Sequence, residues 1–330
     1  MRRVQETIKN EAAGPAAHYT GAMRQLAAAL LYVLAWSTAR LPWRWQRALG
    51  DALAAWWRRL DARESRVAMR NLELAYPQLG PDARKRLHRA VLRTTARQAL
   101  ETLVLWTRPH GRNLAMLRET HGTDLFDAAI AAGRGVIVAA PHYGNWELLN
   151  QWLASRTPLA ILYKPPESKV GEAFLRRVRA DDANAARVEQ VPAEGSAVRR
   201  LLRVLQGGGV VGILPDQQPK GGDGVFAPFF GVEALTMTLL PRLAARTGAA
   251  VLYAYCERID APGAAPAFAL RIEAAPEGIA SSDAGEGARA LNAGVERIAR
   301  RDPAQYQWTY KRYKRRPPGS GEPNPYRDLE

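Results

Sequence analysis

The pattern that most narrows the fold lies after residue 118, where short β-branched or apolar runs alternate with helical stretches. The runs occupy 136–140, 159–163, 188–191, 210–214, 251–256 and 268–272. The helical stretches occupy 123–132, 145–154, 169–180, 194–206, 235–247 and 285–300. Strands and helices in alternation form layers, so the expected fold class is α/β: a mixed, mostly parallel central sheet flanked by helices. Upstream the chain reads as helical. Periodic stretches cover 62–75 and 81–107, with Pro77 and the Gly80-Pro81 pair as punctuation.

The first 60 residues differ in kind. From Leu26 to Ala39 no residue is charged, but that run falls short of the roughly 20 residues a bilayer span needs. Residues 44–59 follow as a basic amphipathic helix, with Leu49, Leu53, Trp56 and Leu60 at helical spacing among Arg44, Arg47, Arg58 and Arg59. Trp36, Trp43, Trp45, Trp56 and Trp57 crowd into the same stretch, and amphipathic rings beside long cations favour the boundary of water and lipid. The reading is a helical membrane-associating region over 1–60, lying in the interface or making one marginal span, with a buried soluble helix as the plainer alternative. A packed domain over 61–317 and an irregular tail over 318–330 complete the organisation.

Charge agrees with an anionic surface as partner. Lys and Arg number 47 against 32 Asp and Glu, a formal net charge of +15. Nucleic acid could draw on the same charge, but no nucleic-acid motif accompanies it. The single cysteine, Cys256, excludes an intrachain disulfide and a thiolate metal site, and neither metal nor cofactor is expected. Gly207-Gly208-Gly209 lacks the Gly-Lys-Ser/Thr ending of a phosphate loop.

Of five histidines, only His142 has a carboxylate five residues on. It follows the run 136–140 through Pro141, and Asn145-Trp146-Glu147 then opens a helix. That places His142 just past the carboxyl end of a strand, the edge where open α/β sheets bind ligands. Glu147, in the first helical turn, could reach back to one ring nitrogen and leave the other as a base. A capping or core histidine beside a surface glutamate is the competing reading. Leu214-Pro215-Asp216-Gln217-Gln218 puts a carboxylate and two amides at another strand end, or is a polar turn. Phe226-Ala227-Pro228-Phe229-Phe230-Gly231 reads as core, or as the lining of an acyl channel beside a site.

The string His142-Tyr143-Gly144-Asn145-Trp146-Glu147 resembles the His-x4-Asp/Glu signature of glycerolipid-type acyltransferases, in the form seen in the lauroyl/myristoyl acyltransferases of bacterial lipid A biosynthesis. Further blocks in family order are Arg70-Asn71-Leu72 with Ala75-Tyr76-Pro77, then Tyr163-Lys164-Pro165, Leu214-Pro215-Asp216-Gln217, and Pro228-Phe229-Phe230-Gly231 with Thr236. Gln305-Tyr306-Gln307-Trp308 and the segment Lys311 to Pro317 close the series, which covers roughly 65–317. The resemblance implies transfer of a lauroyl- to myristoyl-length chain from acyl carrier protein to a hydroxyl of a lipid A precursor, at the cytoplasmic face of the inner membrane. Acyl carrier protein, the glycolipid acceptor and membrane lipids are the implied partners.

Carried over residue by residue, the resemblance makes His142 the base, Glu147 its acid partner, and Arg179 and Asp216 further catalytic groups. Asn145, Tyr163, Lys164, Gln217, Phe229 and Phe230 are the substrate-binding set. Lys164 stands where the family usually has arginine, keeping the charge without the bidentate fork, and Pro166-Glu167-Ser168 replaces the usual Asn-Pro. No Gly-x-Ser-x-Gly occurs, so the implied reaction is direct transfer without an acyl-enzyme. Two other readings fit the residues: an acyltransferase for another glycolipid or lipid-linked acceptor, and a non-catalytic basic protein of membrane or nucleic acid.

Overall fold

A computed structural model describes residues 15–163, 168–180, 187–193, 196–219, 222–259 and 265–329, excepting the side chains of 15–20, 22, 176, 177, 179 and 180. Four helices lead: α1 (Pro15–Arg40), α2 (Trp43–Arg59), α3 (Arg63–Ala75) and α4 (Pro81–Thr107), with a short α5 (His110–Leu114). There follow β1 (Leu117–His121), α6 (Thr123–Ala131), β2 (Val136–Ala139), α7 (Trp146–Arg156), β3 (Leu159–Tyr163), α8 (Lys169–Ala180), β4 (Val188–Pro192), α9 (Ala197–Gln206) and β5 (Val210–Ile213). A hairpin of β6 (Gly224–Phe229) and β7 (Val232–Met237) precedes α10 (Leu239–Thr247), β8 (Ala250–Ile259), β9 (Ala267–Ala274) and α11 (Ala284–Ala299).

Seven strands form one mixed sheet in the order β1-β9-β8-β2-β5-β3-β4. The five from β8 to β4 run parallel, and β9 turns back antiparallel to β8 with β1 parallel to it. All residues of β2 and β5 are buried, as central parallel strands between helical layers require, which is why they read as unbroken apolar runs. On the helical side α9 turns Ala197, Leu201 and Leu205 inward at four-residue spacing, each leucine contributing on the order of 1.5–3 kcal/mol of burial. The expected α/β architecture is the one found.

The strand β1 and the hairpin of β6 and β7 depart from expectation. β1 carries no apolar alternation because it is an edge strand with four of its five residues exposed. The segment 235–247, expected as one helix, begins as strand, and the helix opens only at Leu239. Thr236 is held in β7 by a buried cluster in which Asn292 Nδ2 (2.9 Å) and Arg312 Nη2 (3.0 Å) both donate to its hydroxyl.

The leading helices are inverted relative to a soluble surface helix. α2 presses Gln46, Gly50 and Ala54 inward, with Gly50 close against Arg97 of α4, while Trp45, Leu49, Trp56 and, just past its end, Leu60 face outward. α1 packs on α4 and α8 yet exposes Leu26, Leu30, Val33 and Leu34. No described helix is long and apolar enough to cross a membrane, which removes the marginal-span reading of 26–39 within the described residues.

The tail has little regular structure, but it is docked. Tyr326 is fully buried; its hydroxyl donates to Asn71 Oδ1 of α3 and accepts from the Tyr313 N–H at 3.1 Å. Asn71 Nδ2 in turn donates to the carbonyls of Trp308 (2.6 Å) and Tyr310 (2.8 Å), so one buried side chain ties α3 to both closing segments. Tyr326→Ala, which removes a buried ring and orphans Asn71, should destabilise the chain by about 3–5 kcal/mol in urea unfolding.

Candidate active site

β2 and β5 are adjacent and parallel, with Val136 opposite Val210 and Ala139 opposite Ile213. Past their carboxyl ends each chain runs two residues, the second a proline, and then a functional side chain: Ala140-Pro141-His142 on one, Leu214-Pro215-Asp216 on the other. Equal offsets from paired ends place the third residues side by side. His142 Nδ1 lies 2.7 Å from Asp216 Oδ1, and the His142 backbone N–H donates to Oδ2 at 2.9 Å. An ionised carboxylate only accepts, so Nδ1 carries the ring proton and Nε2 presents its lone pair. Gln217 Nε2 donates to that nitrogen at 3.2 Å.

Asp216 is buried and His142 nearly so. Burial, the largest single influence, pushes the Asp216 carboxyl upward, but the charge of His142 and the hydrogen bonds from its ring and backbone N–H outweigh it and hold Asp216 below the ordinary carboxylate range. Tyr306 packs behind as a buried phenol raised far above its usual value by burial, then by the charge of Asp216.

The loop that carries His142 is clamped on both sides. The Asn145 N–H donates to the Cys256 carbonyl of β8 at 2.8 Å, Gly144 N–H to the Gln305 carbonyl at 3.1 Å, and Gln307 N–H to the His142 carbonyl at 3.0 Å. Gly144 has φ +59°, and a Cβ there would sit 2.0 Å from the Cys256 carbonyl oxygen, so the turn admits only glycine. Tyr143 is fully buried and donates to Glu257 at 2.7 Å; Glu257 also takes Arg271 at 2.5 Å and Arg301 at 3.1 Å. Burial would raise Glu257, but the bonds from Arg301, Tyr143 and Arg271 prevail and hold it low, an ionised anchor under the histidine loop.

Asn145 begins α7 as its N-cap, with Oδ1 accepting from the Leu148 N–H at 3.1 Å, while its buried Nδ2 has no hydrogen-bond partner among the described residues. Glu147 stands half-buried in the first turn of α7, and the carboxylate against Nδ1 is that of Asp216. Tyr163 ends β3, the strand next to β5, so His142, Asp216, Gln217 and Tyr163 share one edge of the sheet. Lys164 lies outside the described residues, and Arg179 stands on α8 with its side chain outside them.

Phe229 and Phe230 are placed otherwise than an open channel lining would require. Phe229 ends β6 and Phe230-Gly231 makes the two-residue turn, φ +51° and +76°, that hairpins favour. Both rings are buried in an aromatic cluster with Tyr76, Tyr306, Trp308 and Tyr313. They buttress Tyr306, and through it Asp216. Cys256 is buried and its thiol is pushed up by burial, so it offers no nucleophile.

Residues 19–315 match the family described as bacterial lipid A biosynthesis acyltransferase. The chain is 28% identical over 300 residues to the lipid A biosynthesis palmitoleoyltransferase of Escherichia coli (strain K12), spanning 87% of this chain and 93% of that one. To the lipid A biosynthesis lauroyltransferase of the same strain it is 25% identical over 285 residues, 86% of this chain and 90% of that one. A shorter stretch of 143 residues, 41% of this chain and 42% of the other, is 34% identical to the phosphatidylinositol mannoside acyltransferase of Mycobacterium tuberculosis (strain CDC 1551 / Oshkosh).

Because Asp216 is held below its ordinary value of 3.8 in the folded chain, it contributes stability that is present above that value and lost as pH falls below it. Urea unfolding measured from about pH 5 downward should therefore show a flatter pH dependence for Asp216→Asn than for the parent chain. Gly144→Ala should lower the melting temperature markedly and displace His142 from Asp216, read from loss of the downfield Nδ1 proton signal.

Proposed function

The chain belongs to the bacterial lipid A biosynthesis acyltransferase family, and from that membership we propose that it moves a lauroyl- to myristoyl-length chain from acyl carrier protein to a hydroxyl of a lipid A precursor. The observation that supports the chemistry best is the His142–Asp216 pair at the carboxyl edge of β2 and β5. The acceptor hydroxyl takes the place of the Gln217 amide at Nε2 and gives up its proton there; its oxygen bonds to the thioester carbonyl carbon. The tetrahedral oxyanion then collapses, the carbon–sulfur bond breaks, and the carrier thiolate recovers the proton from the imidazolium. Asp216 fixes the tautomer and orientation of His142, and Glu147 adds a second carboxylate that stabilises the imidazolium.

The oxyanion needs donors. The unpartnered Asn145 Nδ2, the N-terminal amides of α7 and the cation Arg179 are the groups we assign to it. Tyr163 and Gln217 contact the acceptor from the same edge, and Lys164 is assigned to the acceptor with them. The route needs neither serine nor cysteine nucleophile, which agrees with the inert setting of Cys256.

The outward apolar stripe of α2, the exposed leucines of α1 and the arginines between them support peripheral attachment to an anionic membrane, with both helices lying in the interface. Arg40 over the Trp36 ring at 3.8 Å is the kind of pair that places an aromatic body in lipid and a charge at its rim.

Acyl transfer from a panel of acyl carrier protein thioesters to the lipid A disaccharide precursor, read by product mass, tests the reading, with a phosphatidylinositol mannoside in parallel as the rival acceptor. Product on the first acceptor, absent with a folded His142→Ala chain, is the expected result; acylation of the second alone would move the assignment to another glycolipid. Asp216→Asn should lower kcat by about 10²–10⁴. Asn145→Ser, which keeps a cap acceptor and loses the amide donor, should lower kcat by about 10²–10³ at little cost in melting temperature. Replacing Trp45, Leu49 and Trp56 together by serine should release the chain from phosphatidylglycerol vesicles in flotation, with the fold intact by circular dichroism.

A further inference from the structure

A second concave site lies apart from the His142 loop, where the end of α2, the start of α3, the first turns of α4 and Leu329 of the docked tail enclose a cavity of about 420 Å³. Its lining holds five cations, Arg58, Arg66, Arg70, Lys85 and Arg89, against two carboxylates, Asp61 and Glu73. Two of the cations are committed. Arg66 donates to the Asp61 carbonyl at 2.6 Å, and Arg70 is bidentate to Asp328 and pairs with Glu73 at 3.3 Å. The side chains of Arg58, Lys85 and Arg89 have no hydrogen bond or ion pair among the described residues. Three uncompensated cations from two helices around one cavity are a poor arrangement for stability and a good one for a multiply charged anion.

We propose that this cavity binds a phosphate monoester, with Arg58, Lys85 and Arg89 as its charged contacts and the Ser65 hydroxyl as a neutral one. A dianion with three terminal oxygens matches three separate cationic donors; a carboxylate or a phosphodiester would leave one unmatched. Arg58 is exposed in the last turn of α2, the helix that also carries the outward apolar stripe, so the cavity lies beside the region proposed to meet lipid. The site is independent of the acyl-transfer reading, since none of its residues belongs to the His142 loop.

The cavity contains its own reporter. His88 is buried at its wall, with Nε2 donating to the Ser65 carbonyl at 2.9 Å and lying 3.3 Å from the Ser65 hydroxyl. Burial lowers its pKa most; the Ser65 carbonyl and Asp61 oppose that, and Arg58 from α2 and Arg89 from α4 add to it. An anion seated on Arg58 and Arg89 cancels their repulsion, so the His88 midpoint must rise on binding.

The test is a histidine NMR titration of the full chain in phosphatidylcholine bicelles, with the His88 signal assigned by His88→Gln. Inorganic phosphate is compared with chloride at equal ionic strength, and bicelles doped with phosphatidic acid are compared with bicelles doped with phosphatidylglycerol. The expected result is a rise of about 0.5 pH in the His88 midpoint with phosphatidic acid, absent with chloride. A rise with inorganic phosphate as well identifies the free phosphate group as sufficient; a rise with the lipid alone identifies a headgroup delivered at the interface. Arg58→Ala/Arg89→Ala should start from a higher midpoint and lose the response, and His142→Ala should keep it. No response to either phosphate source, an equal response to phosphatidylglycerol, or an undiminished response in the double variant overturns the proposal.

Discussion

The hydrogen bond between His142 and Asp216 depends on a backbone fact before any side-chain chemistry. Two parallel strands lie in register, each ends in the same short proline-containing step, and the residues after the prolines therefore meet although 74 positions separate them. Everything around the pair preserves that register. The loop after β2 is tied to β8 by Asn145 and to the closing segment by Gly144 and His142. The step after β5 is tied to Tyr310 through the Gln218 N–H at 3.0 Å. A shift of either strand by one residue would turn its side chain to the other face and dissolve the pair.

Around the pair, the fold separates rigidity from chemistry. The ionised Glu257 with Arg271 and Arg301 under Tyr143, and the buried Asn292–Thr236–Arg312 cluster behind the hairpin, are polar networks each joined by several hydrogen bonds. Such networks are costly to break and hold one geometry. Aromatic rings fill the space between them, so Tyr306 has packed support where it meets Asp216. At the edge itself stand His142 Nε2 and the Gln217 amide. Preorganisation of this kind puts the reorganisation cost into folding and keeps it out of the reaction.

Much of this was legible in the residues. The alternation after residue 118 and the full apolarity of β2 and β5 pointed to a layered α/β sheet, because short strands buried on both faces read as unbroken apolar runs between helical stretches. The strand-end position of His142 followed from Ala140-Pro141. What was not legible followed from long-range geometry. The five-residue spacing pointed to Glu147 as the partner on one ring nitrogen, since local spacing is visible in a string; Asp216 holds Nδ1 because β2 and β5 are neighbours. The signal existed in two parallel phrases, 136–142 and 210–216, each an apolar run, a proline and an ionisable residue at equal offset. Phe229 and Phe230 read as core, or as channel lining beside a site, and the string could not show that Tyr306 and Trp308 pack against their rings. β1 was invisible because an exposed edge strand needs no apolar face.

The large positive charge divides into parts that act differently. Arg271 and Arg301 are paired with Glu257, and Arg312 is held by Thr236, Asn292 and the Leu235 carbonyl, so these three serve the packing of the sheet and hairpin. The arginines of α1 and α2 lie beside exposed leucine and tryptophan, where charge and apolar area act together on one surface. At the junction of α2, α3 and α4, cations line a cavity that two carboxylates only partly neutralise. A net charge alone predicts an anionic partner without saying where; its distribution gives one surface suited to a charged bilayer and one cavity suited to a single concentrated anion, both at the helical end of the molecule and both outside the strand edge where His142 stands.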